Sequence, residues 1–202
     1  MSPTTPTAGQ RHLLERHLDE LEHWNVRLNL TTVPRARAWE RHVDETLLLL
    51  DSAALPAAGR CADLGSGGGI PGVPIAILRP DLAITLIESD RRKAGFLVHV
   101  CGLLDLGNVT VAARRAEELN RDPLQRAAYD AVVSRAAAPP ALLWRLSRPL
   151  LRAGGTLWAL VSDSDAVAAV TALRAEPGAH ARRAAPGLLA VIRQEPESSG
   201  FP

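Results

Sequence analysis

Cys61-Ala62-Asp63-Leu64-Gly65-Ser66-Gly67-Gly68-Gly69-Ile70-Pro71-Gly72-Val73-Pro74 is an apolar run that breaks into glycines and then resumes as a helical pattern. Five of the eight residues 65–72 are glycine, so the backbone must turn sharply and be approached closely there. Glycine alone reaches positive φ at little cost and adds no side chain. Pro71 and Pro74 suit the start of a helix, where a missing N–H is no loss. The stretch therefore reads as a strand, a ligand-cradling bend and a helix.

Downstream the chain alternates between strand and helix patterns, as βαβ units with a mostly parallel sheet do. Strands are predicted near 60–65, 83–88, 108–112, 129–134, 155–161, 179–185 and 188–193, and helices near 72–79, 90–106, 140–152 and 163–176. The expected fold class is α/β, a doubly wound, mostly parallel seven-stranded sheet. In such sheets ligands lie beyond the carboxyl ends of the strands, at the topological switch point. Upstream, Leu13, Leu14, Leu18, Leu21, Trp24 and Leu28 recur at helical spacing over about 9–28, and Trp39, Val43, Leu47 and Leu50 over about 35–54. These helices stand outside the βα repeat, placed to cover a sheet edge or build a substrate site. The organisation expected is a single domain over 1–202, with a helical extension (1–58), a core (59–194) and a tail (195–202), both ends fraying.

Nearly half of the 202 residues are apolar, enough for one well-packed core. A net charge of only +1 argues against a polyanion binder relying on bulk charge, though a local basic patch is compatible with it. Cys61 and Cys101 fall in a strand and a helix, which points to buried thiols, with neither a disulfide nor a metal site. The polar start, Met1 to Gln10, has no secretory pattern, and no apolar run reaches the roughly 20 residues that cross a bilayer, so a cytoplasmic protein with no membrane partner is expected.

Gly67, Gly69 and Gly72 form a literal GxGxxG, a weak dinucleotide fingerprint alone. With Asp63 two residues before Gly65, however, the stretch resembles the apolar-Asp-Leu-Gly-x-Gly-x-Gly pattern of doubly wound S-adenosylmethionine-dependent methyltransferases. That likeness implies that Asp63 orders the loop and the cofactor's aminoacyl end, and that the Gly65–Gly69 backbone, with Ser66, runs along methionine and ribose. Glu88 closes the second strand about 20 residues after the bend, where a carboxylate accepts from ribose hydroxyls. A dehydrogenase would want the same acid. By the same likeness an acid after the third strand accepts from the adenine amino group, which here falls to Glu117 after the small Ala116, although Glu117 also reads as an acidic first helical turn.

The fourth strand ends Ser134-Arg135, followed by Ala136-Ala137-Ala138-Pro139-Pro140. The Asn/Asp-Pro-Pro-aromatic motif of exocyclic amine methylation is missing, and neither cysteine lies where a pyrimidine-carbon nucleophile belongs. A ring nitrogen such as guanine N7 has a free lone pair and no proton to lose, so alignment matters more than a general base. Arg135 suits that chemistry, gripping a phosphate or guanine's acceptor edge. It could equally fix the cofactor carboxylate or pair with a structural acid.

Taken together, the chain resembles the bacterial small-subunit ribosomal RNA guanine-N7 methyltransferases, the RsmG (GidB) family. The likeness is carried by Trp24-Asn25 with Asn29-Leu30-Thr31, by Arg41-His42-Val43-Asp44-Glu45-Thr46, by the extended bend through Ile70-Pro71-Gly72-Val73-Pro74, by Glu88-Ser89 with Lys93 and Phe96-Leu97, by Arg115-Ala116-Glu117-Glu118 and by Val133-Ser134-Arg135-Ala136. It implies S-adenosylmethionine as cofactor, with contacts from Asp63, Gly65, Ser66, Gly67, Gly69, Ile70, Gly72, Glu88, Ser89, Ala116, Glu117 and Arg135, and Arg135 as the catalytic group. The implied partner is small-subunit ribosomal RNA or the assembled subunit, met by Asn29 and His42 and by the basic Arg91-Arg92-Lys93, with the enzyme a monomer. Members usually carry Ala-Leu-Lys-Gly where this chain has Ala159-Leu160-Val161-Ser162, and an Arg near Gly187. The lost basic groups weaken the inference to RNA, leaving methylation of another RNA or a small molecule, or a non-catalytic cofactor- or RNA-binding regulator, as alternatives.

Overall fold

A computed structural model describes residues 4–53, 55–56, 58–135 and 137–194. Seven strands form one sheet in the order β3-β2-β1-β4-β5-β7-β6: β1 (Gly59–Leu64), β2 (Leu82–Ile87), β3 (Val109–Ala112), β4 (Tyr129–Arg135), β5 (Leu151–Leu160), β6 (Ala179–Ala185) and β7 (Leu188–Arg193). β1 to β5 pair in parallel, while β7 runs antiparallel to both β5 and β6. The direction of winding reverses between β1 and β4, which therefore flank the switch point.

Both faces of the sheet are covered, so the central strands bury apolar side chains on both sides, with Asp63 and Ser134 as buried polar exceptions. Successive residues take opposite sides. Cys61, Ala131, Val133 and Trp158 face one core, and Ala62, Leu64, Val132, Leu157 and Ala159 face the other. The first core is closed by α1 (Ala8–Leu28), α3 (Glu45–Ser52), α4 (Gly72–Leu78) and α5 (Arg91–Leu103). The second is closed by α6 (Ala116–Leu119), α7 (Pro140–Ser147) and α8 (Asp163–Leu173).

The N-terminal helices cover a face of the sheet, where a cover for its edge was one expectation. Leu14, Leu18 and Leu21 are fully buried in the first core, and α1 packs on α4 and α5. Its start is held by a capping box, Gln10 N–H to Thr7 Oγ1 (3.2 Å) and Thr7 N–H to Gln10 Oε1 (3.0 Å). Thr4 N–H also donates to Asp51 Oδ1 (2.7 Å), so fraying does not extend through residues 4–10. The C-terminal tail lies outside the described residues. The second upstream helix is composite: α2 (Arg35–Ala38), a π-helical segment (Trp39–Asp44) and α3.

All seven predicted strands are present. α7 ends at Ser147, short of the expected 152: Arg148 still has helical dihedrals as the C-cap, but Pro149 has no N–H with which to continue the ladder. β5 accordingly starts at Leu151, with a register shift against β4 between Tyr129 and Ala131 and Gly154 at φ +73°. Both cysteines are free and buried. Among the described residues no helix is long and apolar enough to cross a membrane.

Candidate active site at the switch point

The glycine bend leaves β1 and is stitched to its neighbour. Gly65 and Ser66 N–H both donate to Ile87 O (3.0 and 3.1 Å), Ser66 Oγ donates to Asp63 O (2.9 Å), and Gly69 N–H to Ser66 O (2.7 Å). Gly65, Gly67 and Gly69 have φ of +74°, +53° and +84°, the left-handed region that excludes most side chains. The glycines differ in what they face. A Cβ on Gly68 would lie 2.5 Å from Leu21 Cδ1, on Gly69 2.7 Å from Val73 Cγ2, on Gly72 2.6 Å from Asp63 Oδ2 and on Gly65 2.5 Å from Ala137 Cβ. Only Gly67, of these five, looks into open space, its nearest neighbour being Gly65 O at 3.9 Å.

The residues of the bend expected to contact the cofactor are thus placed differently from one another. Gly69 and Gly72 are glycine for packing, the Ile70 side chain lies in the core and Ser66 closes the turn. One further support was not expected from sequence: buried His17 of α1 donates from Nε2 to Gly68 O (2.9 Å). Burial pushes its pKa down to about 4, so the ring is neutral near pH 7.

Two acids hold the bend. Asp63 is wholly buried and its Oδ2 accepts from Gly72 N–H (3.0 Å), while Oδ1 is a buried acceptor without a partner among the described residues. Burial raises its pKa to about 7, against the lowering pull of Gly72 N–H and Ser66. Glu88 accepts from Gly67 N–H through Oε2 and from Asp90 N–H through Oε1, both at 2.8 Å. Each oxygen keeps a second lone pair for another donor. Glu88, Ser89, Ala116, Glu117 and Gly65 line one cleft of about 230 Å³, bringing together much of the predicted cofactor set.

Arg135 lies elsewhere, on a cleft of about 750 Å³ between the N-terminal helices and the ends of β4 and β5. Arg41, Asp44, Glu45, Leu48 and Val161 share that wall. The two clefts flank the end of β4, Arg135 facing the larger one and Ala137 the smaller. Nη1 of Arg135 donates to Arg41 O (2.8 Å) and to His42 Nδ1 (2.7 Å), and stands 3.7 Å from Glu45 Oε2. Pairing with a structural acid, one of the alternatives for Arg135, is therefore part of the arrangement.

The assignment of His42 to RNA is corrected. Its side chain is fully buried, and both ring nitrogens are engaged, Nδ1 by Arg135 and Nε2 by Thr31 Oγ1 (3.2 Å). Asn29 is exposed as the left-handed C-cap of α1 and borders a third groove, which shares Val33 with the large cleft. Arg91 and Arg92 are exposed and Lys93 half-buried at the start of α5, which Asp90 caps. Arg92 donates to Arg27 O (3.1 Å), adding the end of α1 to this basic patch. Sequence reasoning gave no role to Asn25, Thr31 or Glu45, and offered Arg41 only as a possible phosphate contact. All four lie in stretches that carried the family resemblance, which was the available signal.

A glycine bend after β1, an acid closing β2 and paired clefts at the β1/β4 switch point define the Rossmann-like fold of the class I methyltransferases. Solved structures agree at the level of fold. A precorrin-6y C5,15-methyltransferase from Geobacter metallireducens matches with a TM-score of 0.56 at 14% identity, over 74% of this chain and 86% of that one. The Methanococcus jannaschii fibrillarin pre-rRNA processing protein matches with 0.54 at 12%, over 71% of each. The family model described as rRNA small subunit methyltransferase G matches residues 10–176, and the chain belongs to that family, RsmG or GidB. The ribosomal RNA small subunit methyltransferase G of Roseiflexus castenholzii is 44% identical over 142 residues, 69% of this chain and 60% of that protein. The protein of the same name from Sorangium cellulosum is 45% identical over 141 residues, 69% and 59%. The chain thus matches about three fifths of the length of these relatives.

Proposed function

We propose that the protein is an S-adenosylmethionine-dependent methyltransferase that modifies guanine N7 in small-subunit ribosomal RNA, acting in the cytoplasm as a monomer and as one domain over residues 1–202. The observation that carries this reading is the pair of clefts meeting at the end of β4. One has the parts of a nucleoside site and the other presents a half-buried guanidinium. Membership of the family supports the choice of RNA.

The residues present suit the cofactor. Gly67 leaves open space beside its backbone, Glu88 has lone pairs free for ribose hydroxyls, and the unpartnered Oδ1 of Asp63 is an acceptor for a cationic amino group. Ser89, Ala116 and Glu117 would surround the base. S-adenosylmethionine supplies an electrophilic methyl group on a sulfonium. N7 attacks it with an existing lone pair, so the chain's task is alignment and exclusion of water, and no general base is required. Arg135 would hold the nucleotide through its phosphate or its O6 edge. Arg27, Arg91, Arg92 and Lys93 would take the RNA backbone.

A second reading has one observation in its favour. The large cleft carries four carboxylates, Glu40, Asp44, Glu45 and Asp163, and two guanidiniums, Arg41 and Arg135; with Glu40 paired to Arg37 and Asp163 to Arg183, its wall is of mixed charge and suits a small polar substrate as well as a phosphate. Incubating the protein and labelled S-adenosylmethionine with unmodified small ribosomal subunits, with their free RNA and with a small-molecule extract separates the two. Label mapped to a guanine N7 of the RNA supports the first reading. Label found only in small molecules replaces it with the second.

A further inference from the structure

Arg135 lies at the rim of the large cleft, its side chain only 20% exposed. It is held by a chain of hydrogen bonds that begins at the far end of α1. Asn25 clamps the turn after that helix, its Oδ1 accepting from Leu30 N–H (2.7 Å) and Thr31 N–H (2.9 Å) and its Nδ2 donating to Thr31 O (2.9 Å). Thr31 Oγ1 accepts from Val33 N–H (3.0 Å) and faces His42 Nε2 (3.2 Å). His42 Nδ1 in turn meets Arg135 Nη1 at 2.7 Å.

The chemistry fixes the direction of the chain. A guanidinium has only donors, so Nδ1 must be the bare nitrogen of the ring and Nε2 must carry the proton, which Thr31 Oγ1 accepts. The backbone fits the same purpose. His42 and Arg41 lie in the π-helical segment, and π-helical turns concentrate at functional sites. Its Arg41 carbonyl accepts from Arg135 (2.8 Å), and its His42 carbonyl from Thr46 Oγ1 (2.6 Å). Glu45 completes the frame, its Oε1 held by Arg41 Nη1 at 2.8 Å.

We infer that His42 is a positioning residue for methyl transfer: its Nε2-protonated ring, locked by Thr31 and Asn25, aims the Arg135 guanidinium into the substrate cleft. This rests on the reading of Arg135 given above. It makes the turn after α1 part of the catalytic unit, because the clamp set by Asn25 reaches Arg135 through two side chains. A ring that served only to fill space would be replaceable by any side chain of similar volume. A relay requires an acceptor at the Nδ1 position.

Single-turnover transfer to unmodified subunits tests this with His42→Gln, which keeps a donor near Nε2 and loses the Nδ1 acceptor, and with His42→Asn, which does the reverse. Displacing the guanidinium by about 1 Å should slow transfer between about 10- and 100-fold in His42→Gln. His42→Asn should recover most of that loss, while S-adenosylmethionine affinity stays within about twofold of wild type in both. Thr31→Val, a milder change, should slow transfer several-fold. Adding His42→Gln to Arg135→Ala should slow it no further, as expected of groups that act as one unit. ¹⁵N spectra of His42 should show a bare Nδ1 whose resonance moves in Arg135→Ala. That readout holds whether or not substituted chains turn over.

Equal rates for wild type, His42→Gln and Thr31→Val alongside a crippled Arg135→Ala would overturn the relay and leave the site standing. A proton on Nδ1 would overturn it independently of activity. Wild-type transfer by Arg135→Ala would instead remove Arg135 from the site, and the relay's role with it.

Discussion

Replacing Asp63 by asparagine should make the protein gain stability relative to wild type as pH rises, by an amount set by the burial of one carboxyl. Asp63 is 0% exposed, and burial lifts its pKa from 3.8 to about 7. Below 3.8 the group is protonated in folded and unfolded chains alike and contributes nothing. Between 3.8 and 7 the unfolded chain releases the proton and the folded one keeps it, so wild-type stability falls with pH by about 1.4 kcal/mol per unit. Above 7 both forms are ionised and the accumulated loss levels off at roughly 4 kcal/mol.

Asparagine has no such proton, and its oxygen can still accept from Gly72 N–H. Its amide NH₂, left where Oδ1 has no partner among the described residues, adds a cost that does not vary with pH. The other buried ionisable rings act in the opposite sense. The lowered pKa values of His17 and His42, both about 4, cost stability as pH falls from 6.5 toward 4, and because both proteins contain them they cancel in the difference. Urea unfolding from pH 4.5 to 8.5 should therefore give a stability difference that climbs to about pH 7 and then flattens. A difference that stays constant across that range would mean that Asp63 is ionised in the fold, and the argument from burial would fail. A carboxyl kept at such a cost beside the glycine bend marks a candidate functional site.

Three more outcomes follow from the same geometry. If Asp63 meets a cation when S-adenosylmethionine binds, its proton must leave, so calorimetry at pH 6 in buffers of different ionisation enthalpy should report a proton released, and none in Asp63→Asn. Gly67→Val places a β-branched side chain at φ +53° and fills the one open position of the bend. It should cost roughly 1–3 kcal/mol of stability and abolish measurable cofactor binding, and calorimetric affinity equal to wild type would remove Gly67 from the site. Replacing Arg91, Arg92 and Lys93 together by alanine should leave cofactor affinity unchanged and flatten the salt dependence of RNA binding, with an unaltered slope excluding that patch as a phosphate contact.

Cys61 to Pro74 and the alternation beyond it are enough to read the fold, because strand, bend and helix depend on neighbours a few residues apart: apolar period, glycine at positive φ, proline at a helix start. That Glu88 and the Ala116-Glu117 pair would share one cleft was likewise legible, since βαβ winding carries every strand's carboxyl end to one rim of the sheet. Other properties belong to the folded chain alone. Gly67 faces space while Gly69 faces Val73, a distinction made by α4 and α1 packing on the bend. His42 is expected from the family resemblance to meet RNA and is instead buried against Arg135, 93 positions away. Burial, and with it the protonation of Asp63, His17 and His42, depends on which distant surfaces exclude water. Local spacing carries no record of that.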